Sequence, residues 1–281
     1  MSGTALLDAV YAAPEDREAR LVYGDWLLER GDPRGELIQL QLREPKTKAQ
    51  AARETELVEA HAEEWIGRLT KITTWVELEL GFLARCGLRD TPAWAIGMRE
   101  WATVKHIGIS DRWNTTFVPL VIDGAMTSLE SVRLPERALG AQAGATHRAT
   151  RIRRLTVDGP IAQRGWEALV ASRALAALAE LDIRGAVDAP IWTSRFTRVA
   201  HQVQGFTLVW TRGDDGRLSA VAAEPGDLKW GRVPVIDDLL SYFTALPKDV
   251  IAAIDLTAVP KLPIKRAKHA LRKQVRVVDD L

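Results

Sequence analysis

The 281-residue sequence predicts an α/β fold in which a solenoid of stacked repeats follows an N-terminal α-helical head. One observation is a six-residue pattern, apolar at its first, fourth and sixth positions. It reads Val104, Ile107, Ile109; Leu129, Val132, Leu134; Ile152, Leu155, Val157; Leu178, Leu181, Ile183; and Val203, Phe206, Leu208. The first members lie 23 to 26 positions apart. A unit of that length cannot bury its apolar edge alone, so neighbours stack into one core and display a row of short strands. The other observation is the first 70 residues, where apolar side chains recur at helical spacing and the charge differs. There 9 basic and 14 acidic side chains give a balance of −5, whereas the remaining 29 basic and 23 acidic ones give +6.

In the head, Leu6, Leu7, Val10 and Tyr11 form one helical face, ended by Pro14. A second helix starts between Pro14 and Asp16, with Leu21, Val22, Trp26 and Leu27 as its buried stripe and Gly31 placed to end it. Asp32 caps and Pro33 opens a third helix carrying Leu37, Ile38, Leu40 and Leu42. A fourth, over residues 47–69, turns Leu57, Val58, His61, Trp65 and Ile66 inward. Asp25, with Arg20, Arg30 and Arg34 close in sequence, is expected to form an ion-pair network that sets the angle between these helices.

The run Leu21-Val22-Tyr23-Gly24-Asp25-Trp26-Leu27, followed by Glu29-Arg30-Gly31-Asp32-Pro33-Arg34-Gly35-Glu36 and Leu37-Ile38-Gln39-Leu40-Gln41, resembles the bacterial repeat-companion domain. The resemblance covers residues 4–45. It implies a short helical module ahead of a leucine-rich-repeat-like array, in bacteria with large genomes, and it brings no catalytic residues. The expected organisation is therefore a helical head over residues 1–70 and a degenerate leucine-rich-repeat-like solenoid over residues 71–281.

Weaker copies of the pattern flank the clear five: Trp75, Leu78 and Leu80 before them, Ile251, Ile254 and Leu256 after. Between lie a predicted hairpin, Phe206 to Trp210 and Leu218 to Ala222 joined by Gly213-Asp214-Asp215-Gly216, and helical segments near residues 162–175 and 235–246 for an outer layer. A basic helix over residues 264–272 and a strand over residues 275–278 close the array. The asparagine usual after such strands is replaced by Arg112, Arg137, Pro160, Ala186 and Thr211.

Strand alternation turns the residues between the buried ones to the opposite face. His106, Arg133, Arg154, Asp158, Glu180, Asp182 and Arg184 are the candidate partner-binding residues, with Glu77 and Glu79 beside them. Arg133 and Arg154 are expected to form a basic patch bordering an acidic one at Glu180 and Asp182. Mixed charge favours a protein partner over nucleic acid.

No catalytic, cofactor-binding or metal-binding set is predicted. The five histidines, His61, His106, His147, His201 and His269, are scattered without supporting ligands. The single Cys86 sits among apolar residues as packing, excludes an internal disulfide and suits a reducing compartment. With no secretion signal and no long apolar run, the expected location is the cytoplasm, without a membrane partner. The expected function is that of a non-catalytic protein-interaction scaffold or recognition and regulatory subunit. The alternative is nucleic-acid binding through Lys265, Arg266, Lys268, Arg272 and Lys273 of the basic helix.

Overall fold

The computed structural model describes residues 2–43, 45–109, 125–139, 150–203, 206–223, 236–247, 251–256, 259, 271 and 276–277. The protein is mixed α/β and divides into two compact units, one of Met1–Leu134, Ala145–Ile152 and Arg173–Ala176, the other of Pro135–Gly144, Arg153–Ser172 and Ala177–Leu281.

The first unit contains α1 (Gly3–Ala12), α2 (Arg17–Leu28), α3 (Pro33–Leu42) and α4 (Lys48–Ile66), then β1 (Thr73–Glu79), β2 (Phe82–Leu88), β3 (His106–Ile109) and β4 (Ser131–Pro135). Local chemistry sets the helix starts. Asp16 accepts from the Glu18 N–H at 2.9 Å, Asp32 from the Arg34 N–H at 2.9 Å, and Thr47 with Gln50 forms a capping box. Gly31, at φ 70°, ends α2 as expected, its N–H and that of Asp32 returning to the carbonyls of Leu28 and Leu27.

The buried side of α2 is rotated from the expected stripe. Arg20, Tyr23, Gly24 and Leu27 face inward, while Val22 is 43% exposed. The reason is the first strand hairpin, whose Phe82 joins Leu6, Val10, Tyr23, Leu27 and Ile38 in one core. Arg20 lies 5.4 Å from the Phe82 ring centre and donates to the carbonyls of Pro14 and Glu79; Arg34 lies 4.3 Å from the same ring and donates from Nε to the Gly81 carbonyl at 2.8 Å. Gln41 donates to the Leu78 carbonyl and accepts from the Gly81 N–H. The expected carboxylate network is thus replaced. Asp25 accepts from Gln39 at 2.8 Å, and Arg30 covers Trp26. A planar guanidinium stacks on a ring while donating in its own plane, so fixed carbonyls can take the place of a directly bonded acid.

β1 and β2 are antiparallel, and Leu80 and Gly81, at φ 51° and 76°, make the two-residue turn between them. The expected copy Trp75-Leu78-Leu80 is therefore a hairpin arm and its turn. The pattern is carried instead by Leu83, Cys86 and Leu88, because β2 runs parallel to β3 with Cys86 opposite Ile107 and Leu88 opposite Ile109. Cys86 is fully buried, and burial pushes its thiol up to about 12. Beyond β3, β4 is parallel, with Ile107 opposite Val132.

The second unit contains β5 (Arg154–Asp158), α5 (Gln163–Ala171), β6 (Glu180–Ile183), β7 (Arg198–Val203), β8 (Phe206–Arg212), β9 (Leu218–Ala223), α6 (Ile236–Thr244), β10 (Ile251–Asp255) and β11 (Arg276–Val277). β5, β6 and β7 are parallel, β8 and β9 continue as an antiparallel meander, and β10 and β11 are again parallel. The hairpin of β8 and β9 lies where the sequence places it, turning at Gly216 with φ 78°.

One backbone device recurs. At three places the carbonyl before a strand accepts two N–H groups from the next copy: Glu130 and Ser131 on Lys105, Ala179 and Glu180 on Arg153, Thr197 and Arg198 on Ala179. It identifies the copy after Leu178 as Phe196, Val199 and His201, with Leu181 opposite Val199. The expected copy Val203-Phe206-Leu208 straddles the antiparallel turn from β7 to β8. In place of an asparagine ladder, the Ile161 N–H donates to the Ala186 carbonyl at 2.8 Å and the Asp188 N–H to the Ile161 carbonyl at 3.0 Å.

His201 occupies the sixth, apolar position of its copy. It is 1% exposed, accepts at Nε2 from the Trp210 indole N–H at 3.0 Å, and lies beside Tyr242 of α6. Burial pushes its pKa down to about 4.

Two outcomes follow. Phe82→Ala should lower unfolding free energy by about 3–5 kcal/mol in urea titration, as for other large buried aromatics. Because His201 binds a proton more weakly folded than unfolded, stability should be level above pH about 6.5 and fall by about 3 kcal/mol as pH drops to about 4. His201→Gln, which keeps an acceptor for Trp210, should flatten that slope in thermal melts recorded against pH.

Candidate functional site

The candidate site is the strand face turned away from the buried pattern positions, and each unit builds its own part. In the second unit one row across the strands is Arg154, Glu180, Arg198 and Thr211, and the next is Thr156, Asp182, Ala200, Val209, Val221 and Asp255. Arg154 donates from Nε to Glu180 at 2.9 Å, and Arg184 stands 3.7 Å from Asp158. The hydrogen bond from Arg154, with the positive charges of Arg154 and Arg198 beside it, holds the Glu180 carboxyl below the usual carboxylate range. Charges here alternate from strand to strand. Arg154 stands beside Glu180 where the sequence places a basic-to-acidic border, and Arg198 adds a cation on the far side of Glu180, as expected when opposite charges pair directly across a strand gap. Asp182 faces Ala200, at the start of an apolar stretch that ends on Val221, which is 43% exposed.

In the first unit one row is Glu77, Arg85, His106 and Ser131, and the next is Trp75, Gly87, Gly108 and Arg133. Glu77 and Arg85 stand 3.6 Å apart, and Lys105 bonds Glu79 at 2.7 Å. The Trp75 indole packs against the two glycines. A methyl group on Gly87 would fall 2.3 Å from the indole Nε1, and one on Gly108 would fall 3.5 Å from the ring. The outer side of the indole leaves Trp75 42% exposed, and the His106 ring lies 6.4 Å away at an interplanar angle of 27°. Sequence reasoning placed Trp75 inside. The signal that locates it is glycine at the fifth pattern position in two successive copies, Leu83-Ala84-Arg85-Cys86-Gly87-Leu88 and Val104-Lys105-His106-Ile107-Gly108-Ile109.

Lys265, Arg266, Lys268, Arg272 and Lys273, with the rest of the basic helix, lie outside the described residues, as do Arg112, His147 and His269. Among the described residues no group of three or more His, Cys, Asp or Glu side chains is placed to hold a metal ion, and no helix is long and apolar enough to cross a membrane.

The cross-strand pairs are half exposed, and this limits their energy. A double-mutant cycle on Arg154→Ala and Glu180→Ala should give a coupling below about 1 kcal/mol that shrinks as salt is raised, read from denaturant midpoints.

Comparison with protein-family models, with curated proteins and with solved structures finds no match to this chain.

Proposed function

We propose that the chain is a non-catalytic scaffold or recognition subunit that binds another protein through the outward strand face. In this reading it is a degenerate leucine-rich-repeat-like solenoid behind a repeat-companion head, working in a bacterial cytoplasm. The observation that carries the reading is the common register of successive copies. Arg85, His106 and Ser131 stand in one row, as do Arg154, Glu180 and Arg198, so side chains from distant parts of the sequence form continuous outward rows. Such rows make a broad recognition surface without a catalytic cleft. Their charge favours protein over nucleic acid, since phosphate tracking needs cations without neighbouring acids, whereas Arg85, Arg154 and Arg184 each stand beside a carboxylate.

The test is a bait with Arg133→Glu, Arg154→Glu, Glu180→Arg and Asp182→Lys, in which the pair between positions 154 and 180 re-forms with reversed sign. Exposed changes of this kind shift stability by about 0.5 kcal/mol or less, so the variant should melt with the parent. A protein retained from nuclease-treated lysate by the parent and lost by the variant is the expected result. Equal retention would remove the strand face from the reading. Retention of nucleic acid alone from untreated lysate would replace it by binding through Lys265, Arg266, Lys268, Arg272 and Lys273.

A further inference from the structure

We propose that Trp75 and Glu77 receive an arginine side chain from the protein partner, an inference that rests on the scaffold reading and names the chemistry the partner brings. Three observations carry it. The indole packs against Gly87 and Gly108 while Trp75 remains 42% exposed, and the face of an indole is the negative side of its ring quadrupole. Two other partly exposed tryptophans carry an arginine on the ring: Arg30 lies 3.9 Å from the Trp26 ring centre and Arg68 lies 4.5 Å from that of Trp94, while among the described residues no such pair forms on Trp65 or Trp192. Among the described residues no cation covers Trp75 in this way. Glu77 is on the same strand and the same face, two residues on and so about 7 Å along β1.

The carboxylate is available. Glu77 has a side chain 60% exposed, and its contact with Arg85 is long, at 3.6 Å, with Arg85 itself 58% exposed. Exposed pairs of this kind contribute little and exchange partners readily. Glu79, the next acid on β1, is engaged by Lys105 at 2.7 Å, which leaves Glu77 as the acid beside the ring. Arginine fits better than lysine. Its guanidinium stacks flat on an indole and donates in its own plane to a carboxylate beside the ring, whereas an ammonium is compact and strongly hydrated. Arg20 and Arg34 use the same combination of ring stacking and in-plane donation on Phe82 within this unit.

The experiment uses the full chain labelled with nitrogen-15, with the Trp75 indole resonance identified by its loss in Trp75→Phe. Argininamide should shift that resonance and the Glu77 amide along a saturable curve, and citrullinamide, its neutral analogue, should not. Glu77→Gln should weaken the response by about threefold or more, the loss of a cation's acid partner beside an aromatic face. Gly87→Ala should abolish it by lifting the indole from its seat, while a dispersed amide spectrum reports that the variant is folded. Equal responses to argininamide and citrullinamide, or no saturable response, would overturn the proposal. So would a response to single-stranded oligothymidylate alone, which would make the ring a nucleobase platform. A partner retained by the parent bait with no argininamide response would sink this inference and spare the scaffold reading; an argininamide response with no retained protein would keep guanidinium binding at Trp75 and Glu77 but overturn the protein partner, and with it the scaffold reading.

Discussion

The first unit depends on one packed ring. Phe82 is held by the guanidinium groups of Arg20 and Arg34 while both arginines donate to carbonyls at or beside the hairpin turn. Two cations are thereby largely taken out of water, with the carboxylates of Glu79 and Glu15 close enough to favour the charge of Arg20. The cost of burying them is offset because each finds rigid acceptors and a polarisable face. The contact ties α2 and α3 to β1 and β2, so the helices and the first hairpin share a core. It also orients β2, against which β3 aligns in parallel. Were Phe82 small, the arginines would lose their stacking surface and the core one of its two buried aromatic rings.

From β2 onward the recurring constraint is backbone hydrogen bonding rather than side-chain identity. A carbonyl that accepts two N–H groups from the following copy positions the starts of β4, β6 and β7, and the strand then needs only volume at its inward positions. This explains how Cys86 and His201 occupy sites that aliphatic residues fill in other copies. Cys86 serves as a small hydrophobe. His201 is tolerated because the Trp210 indole satisfies its Nε2 within the same core.

The outward rows follow from the same register. Because the copies align without offset between β2, β3 and β4, and between β5, β6 and β7, each outward position meets its counterpart on the neighbouring strand. Opposite charges at such positions neutralise each other across the strand gap. Two consecutive glycines in one row create a shallow seat, and a tryptophan from the adjacent strand fills it. An uncharged aromatic surface thus stands within a charged field.

Much of this was legible in the sequence. The four helices with the cap at Asp32, the strand positions of the copies at Val104 and Leu129 in one unit and at Ile152 and Leu178 in the other, and the hairpin of β8 and β9 follow from spacing and turn chemistry, which are local properties of the chain. The outward placement of Arg154, Asp158, Glu180 and Arg184 follows from strand alternation for the same reason. Which face of α2 turns inward, which residues form the copies before Val104 and after Ile183, and where Trp75 lies were decided only by tertiary structure. In each case the deciding partner is distant in sequence: Phe82 for Arg20, Ile107 for Cys86, Leu181 for Val199, and Gly108 for Trp75. Periodicity records what one segment must bury, and it carries no information about which carbonyl, ring or glycine a separate segment brings to meet it.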